Sequence, residues 1–154
     1  DDTYYSPDFI KNLTNDFITH QCVVGYRGFT PHSDSLSEFD YNNRRDLIPF
    51  YFNNFITGKG GALYHPSFFK NTTDLIFDKS IYLETCPKGD DIWFYLMRLL
   101  NKIGCYCPDK NYQHIDLSQE GLWYTFNRHD NHNTTMVHNT ANLIGYEKFN
   151  TSRN

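Results

Sequence analysis

The residues best suited to chemistry are a pair of adjacent carboxylates, Asp90 and Asp91, preceded by Cys86-Pro87-Lys88-Gly89 and followed by Ile92-Trp93. Behind them, Ile92, Tyr95, Leu96, Leu99, Leu100 and Ile103 recur at spacings of three and four until Gly104. That spacing predicts a helix capped by Asp90 or Asp91, with both carboxylates in the field of its N-terminus. The field favours the ionised form, while each carboxylate opposes a full charge on the other. One of the pair then holds a proton near neutral pH, which suits a general base. The same residues also make an ordinary cap followed by an acidic first turn.

A second stretch, Thr57-Gly58-Lys59-Gly60-Gly61-Ala62-Leu63-Tyr64-His65-Pro66, precedes the carboxylates. Its glycines admit two readings. They form a hairpin turn between strand-like residues 51–57 and 62–64, or they let a ligand approach the backbone where a Cβ would stand in the way. A third stretch opens the chain: Asp1-Asp2-Thr3-Tyr4-Tyr5-Ser6-Pro7-Asp8-Phe9. Ser6 followed by Pro7 predicts a helix start, with Phe9, Ile10, Leu13 and Phe17 along one apolar face. Adjacent carboxylates ahead of it are hard oxygen ligands of the kind that magnesium or manganese prefers.

The elements that must position these groups follow from pattern. Residues 21–28 read as a short buried strand ending at Arg27, which pairs bidentately with a substrate phosphate or forms a structural ion pair. Residues 29–48 hold Pro31, three serines, several acids and Arg44-Arg45 without a sustained period, and read as a long surface loop. Leu75, Ile76, Ile81, Tyr82 and Leu83 suggest one or two short helices leading to Cys86-Pro87, and residues 105–107 and 112–117 read as short strands. Trp123, like Tyr64 and Trp93, is either a core aromatic or a platform for a sugar face.

In order and content, the acidic opening, the glycine pair and the Asp-Asp-Ile-Trp helix start resemble the second half of a bacterial glycosyltransferase of the GT-A type, related to the large family-two group. The resemblance runs from Asp1 to about Tyr146. It implies an α/β fold, the C-terminal portion of a GT-A domain with a mixed sheet flanked by helices. Residues 1–150 form a single catalytic-domain fragment, 29–48 a variable loop near the acceptor, and 151–154 a tail. It further implies transfer of a sugar from a nucleotide-diphosphate donor to a glycan or other hydroxyl acceptor, in polysaccharide or glycan synthesis, with inversion. In that scheme Mn2+ or Mg2+ is held by Asp2, with Asp1 supporting and His138 as a further ligand among His129, His132 and His138. Gly60, Gly61, Tyr64, Trp93 and Arg27 contact donor or substrate. Asp91 is the catalytic base and Asp90 orients it or the acceptor. In this family the nucleotide-binding half precedes the acidic motif, so the fragment alone is expected to be inactive. The family's N-D-x-Q pattern is matched only at Asn139. The implied location is cytoplasmic, with any membrane association supplied by parts outside the chain.

Composition fits without demanding this. The chain has 154 residues, of which 39% are hydrophobic and 18% aromatic, enough for one core. A formal net charge of -4 and the lack of clustered basic residues argue against general nucleic-acid binding. No apolar run reaches the length of a membrane span. Cys22, Cys86, Cys105 and Cys107 lack zinc-site spacing and read as free thiols. Two rivals use the same residues: a metal-dependent phosphate or nucleotide hydrolase, and a non-catalytic carbohydrate-binding module built on Tyr and Phe.

Overall fold

In the computed structural model the described residues are 3–108, 115–116 and 131–149. They form a mixed α/β arrangement. In chain order the elements are β1 (Thr3–Tyr4), α1 (Phe9–His20), β2 (Val23–Gly25), β3 (Gly28–Pro31), β4 (Arg44–Arg45), β5 (Phe55–Ile56) and β6 (Ala62–Leu63). Then come α2 (Thr73–Ile76), α3 (Lys79–Thr85), α4 (Asp90–Leu100), β7 (Cys105–Tyr106), β8 (Ile115–Asp116) and α5 (His132–Ile144). Short 3-10 segments lie at Leu36–Glu38, Gly58–Gly60, Pro66–Thr72 and Tyr146–Phe149.

The strands make three small sheets. In one, β2 runs antiparallel to β6 and parallel to β7, with Val24 opposite Leu63 on one side and Tyr106 on the other. In the second, β3 is flanked by β4 and β5, both antiparallel. The third pairs β1 with β8. Because β5 joins β3 while β6 joins β2, the glycine stretch between them is no hairpin turn; it carries the chain from one sheet to another through the 3-10 segment Gly58–Gly60.

Helix α4 is the axis of the core. From Ile92 to Leu99 only Phe94 escapes full burial, because sheet, 3-10 segments and α5 surround the helix. Its N-cap is Gly89 rather than either aspartate, so Asp90 and Asp91 occupy the first turn. It stops at Asn101, whose N–H bonds to the Met97 carbonyl, and Lys102 follows in the left-handed region at φ 56°. On its other flank α5 packs Met136, Val137 and Ala141 into the same core. Helix α1 begins at Phe9, two residues later than Ser6-Pro7 suggest, with Ser6 accepting the Phe9 N–H in a preceding turn. Its Phe9 and Leu13 are buried, whereas Ile10, expected on the same face, is exposed.

Residues 29–48 depart most from expectation. Instead of a surface loop they supply Phe29, Leu36, Phe39 and Tyr41 to the core, with Phe29 stacked on Phe55 at a centroid distance of 5.0 Å. Their turn is tied to the start of α5: the Tyr41 N–H donates to the Thr134 hydroxyl (3.0 Å) and the Asn42 side-chain amide donates to the Asn131 side-chain Oδ1 (2.7 Å). No helix among the described residues is long and apolar enough to cross a membrane.

Candidate active site

The site grows from the first turn of α4. Helical geometry turns each residue by about 100° relative to the last, so with Ile92 and Trp93 facing the core, Asp90 projects outward and Asp91 lies half-buried at the edge. The Asp91 carboxylate accepts the Ile92 N–H at 2.9 Å, and the N–H groups of Gly58 and of Asp91 itself lie close enough to favour its charge. The glycine turn and the carboxylate pair therefore meet. Burial, seconded by the Asp90 charge, pushes Asp91 up to about 6, while those three N–H groups hold it from rising further.

The segment that follows Asp1-Asp2 reaches the same turn. The Tyr5 hydroxyl donates to the Lys59 carbonyl at 2.7 Å, and the Tyr5 ring lies 4.6 Å from that of Phe9. Phe9 in turn packs against Gly61, where a Cβ would stand 2.1 Å from its ring. Asp1 and Asp2 themselves lie outside the described residues, as do Trp123 and His129.

Several expected site residues find other employment. Gly60 and Gly61 are required by the protein's own packing: a Cβ on Gly60 would meet the Arg27 Cβ at 2.0 Å, and Gly61 adopts φ +82° against Phe9. The space assigned to a donor is filled by Arg27 and Phe9. Gly58, with nothing near its missing Cβ, is the glycine whose N–H favours the Asp91 charge. Trp93 is 4% exposed, donates its ring N–H to the Ile76 carbonyl (3.3 Å) and meets Tyr82 edge-on. It is a core residue and offers no face to a sugar. Tyr64 is half-buried, stacked on Phe94 at 4.9 Å, and within charge range of both Asp91 and Asp90; burial holds its hydroxyl well above the usual range.

His138 does not fit a metal. Its Nε2 lies 2.9 Å from the Phe39 carbonyl, which only accepts, so Nε2 carries a proton; Nδ1 takes the Tyr146 hydroxyl proton at 2.7 Å. Both ring nitrogens are spent within the fold. Among the described residues no group of three or more His, Cys, Asp or Glu side chains is disposed to hold a metal ion. Asn139 lies apart from Asp91, lining a hollow of about 370 Å³ between α3 and α5 with Glu84, Thr85, Asn142 and Leu143.

Three residues enter that sequence pattern did not single out. Tyr41, from the middle of residues 29–48, is buried and feels the charges of Asp91, Arg44 and Arg27. Arg44 lies over the Phe29 and Tyr41 rings, 4.3 and 4.4 Å from their centroids. Arg98, 1% exposed, donates to the carbonyls of Phe52, Ile103 and Asn54, each at 2.8 Å. A signal for Arg98 was present, since it follows Asp91 by seven residues and Tyr95 by three and so falls on the inward stripe. Tyr41 carried none, because nothing local ties it to residue 91. Comparison with family models, with curated proteins and with solved structures finds no significant match to this chain.

Proposed function

We propose that the chain forms the acceptor side of a glycosyltransferase that moves a sugar from a nucleotide-diphosphate donor to a hydroxyl acceptor, with Asp91 as the base. The observation that carries this reading is the convergence of its three motif stretches on one turn: the Gly58 N–H lies near enough to Asp91 to favour its charge, and the Tyr5 hydroxyl, just after Asp1-Asp2, donates to the Lys59 carbonyl. In sequence these stretches are far apart, and a purely structural acidic first turn has no need of the other two.

Asp91 has the properties a general base requires. Raised to about 6, it remains mostly ionised at neutral pH yet is far more basic than an exposed carboxylate. Half-buried at the protein edge, it is reachable by an acceptor hydroxyl. As the hydroxyl oxygen attacks the anomeric carbon, its proton passes to Asp91 while the bond from that carbon to the diphosphate oxygen breaks. One displacement of this kind inverts the anomeric centre. Asp90, exposed beside it, raises the basicity of Asp91 through its charge. In this reading Asp1 and Asp2 would hold the divalent cation, which would supply charge neutralisation of the diphosphate.

The test is nucleotide-sugar turnover by the longest open reading frame that contains the chain, assayed with manganese, with chelator and as Asp91→Asn. Turnover that collapses in Asp91→Asn while donor binding persists supports the assignment. Sugar release that ignores the acceptor would point instead to the hydrolase, and absence of donor binding would sink the transferase reading.

A further inference from the structure

The hollow of about 370 Å³ between α3 and α5 is lined by Glu84 and Thr85 on one side and by Asn139, Asn142 and Leu143 on the other. Residues three and four apart share a helix face, which brings Asn139, Asn142 and Leu143 to one side of α5. A buried pair of hydroxyls sets the spacing of the two helices: Thr140 donates to Thr85 (2.9 Å), which in turn donates to the Ile81 carbonyl (2.9 Å). The hollow is thus held open by the fold, and its volume lies at the lower end of the range for small-molecule sites, roughly 300–1,000 Å³.

Its lining is not what helix stability selects. Asn139 and Asn142 occupy exposed positions inside α5, where asparagine is a poorer helix former than alanine, lysine or glutamate. Glu84 lies in the last turn of α3, against the helix dipole. Among the described residues these three side chains make no hydrogen bond or ion pair that would explain them. Departures from local preference of this kind gather at functional sites.

The chemistry of the lining selects the ligand. With one carboxylate and no Lys or Arg in its wall, the hollow disfavours phosphate and carboxylate groups. One acid is also too few for a divalent cation. Carboxamides donate and accept at once, as sugar hydroxyls do, and a carboxylate accepts from two adjacent hydroxyls. Leu143, 53% exposed, offers an apolar surface to the C–H groups of a ring. We propose that this hollow binds one neutral sugar residue through Glu84, Asn139 and Asn142, with the ring seated on Leu143.

The hollow is separate from the carboxylate pair yet tied to it. Gly89, the N-cap of α4, packs against Met136, whose methyl would lie 3.1 Å from a Cβ at that position. Asn139 follows Met136 by three residues, about 4.5 Å along α5. A glycan acceptor at Asp91 would meet this second hold further along its chain; that use, unlike the sugar binding itself, rests on the transferase reading.

The test titrates the isotope-labelled product of the longest open reading frame that contains the chain, following backbone amide shifts. The probes are the methyl glycosides of glucose, galactose, mannose and N-acetylglucosamine, with ethanolamine and inorganic phosphate as controls. The expected result is saturable shifts centred on residues 84, 85, 139, 142 and 143 with at least one glycoside and none with either control. Glu84→Gln, Asn139→Ala and Asn142→Ala, all at exposed positions, each weaken that binding about three- to tenfold. Asn142→Trp, which fills the hollow, abolishes it. Absence of saturable shifts with every glycoside, or binding unchanged when Glu84→Gln and Asn142→Ala are combined, overturns the site. Ethanolamine binding in place of the glycosides overturns it in favour of an amine. Sugar binding here with no turnover under any condition would leave the site standing and remove the transferase reading, whereas turnover with no sugar binding at these residues would do the reverse.

Discussion

Helix α4 carries two charged residues taken out of water, two turns apart, and it treats them oppositely. Arg98 is enclosed and answered: three backbone carbonyls, from residues 52, 54 and 103, surround its guanidinium. Asp91 is half-enclosed and left wanting, with one N–H donor, from Ile92, in hydrogen-bond geometry, a second carboxylate next to it and a pKa raised to about 6 by burial. Satisfied burial makes a strut, since a guanidinium closed off from solvent and spending three of its five N–H donors on backbone carbonyls is held to the fold rather than offered to a ligand. Incomplete satisfaction at the protein edge makes a reactive group, at some expense in stability.

If the contrast is right, the largest effect belongs to Asp91. Asp91→Asn should lower turnover by about 10³-fold, in the range for loss of a general base, while raising Tm at neutral pH by a few degrees. A carboxylate whose folded pKa exceeds its unfolded value binds its proton more tightly when folded. The Asp91 contribution is thus present at low pH and declines as pH rises between 3.8 and about 6. Asp91→Asn removes that decline, which thermal melts across this window would reveal; a variant that is both inactive and destabilised would make Asp91 a strut as well.

Next comes Arg98→Met, which leaves three buried carbonyls without a donor and should cost about 3 kcal/mol or more by denaturant titration. A neutral outcome would mean that the guanidinium is not the keystone its geometry suggests. Gly60→Ala, placing a Cβ 2.0 Å from the Arg27 Cβ and 2.9 Å from the Arg27 nitrogen, should cost roughly 2 kcal/mol. Gly58→Ala, pointing into open space, should stay within about 0.5 kcal/mol. The smallest effect sharpens the comparison most. Thr57 is extended at φ -88° and ψ 132°, compatible with a following proline. Gly58→Pro should therefore fold, yet it removes the N–H whose dipole favours the Asp91 charge, so the acid limb of the pH-rate profile should move to higher pH. A limb that stays in place would show that Gly58 does not hold the carboxylate.

The sequence made α4 and its acidic first turn readable, because apolar spacing of three and four is a local property. The three motif stretches could be set in order but not in space, since Gly58 approaches Asp91 only when two sheets and a helix are assembled. The same limit hid Tyr41. Phe29, Leu36, Phe39 and Tyr41 are buried without any helical or strand repeat, so residues 29–48 look like solvent-facing loop until their partners on β5 and α4 are known. Trp93, which pattern leaves open between core and sugar platform, and His138, which the resemblance makes a metal ligand, depart from those ligand contacts for a related cause: the Ile76 carbonyl, the Phe39 carbonyl and the Tyr146 hydroxyl engage their polar atoms.

The position of β2 between β6 and β7 has a bearing on how the chain is made. During synthesis β2 emerges before both its partner strands, one of which waits for Leu63 and the other for Tyr106. Until then the apolar Val23 and Val24 present an unpaired edge, the kind of surface that recruits another nascent copy. Helix α1, which lies against β2 and precedes it, is already made when β2 emerges. Its early formation shields one face of β2 during the interval in which the strand has no sheet to join.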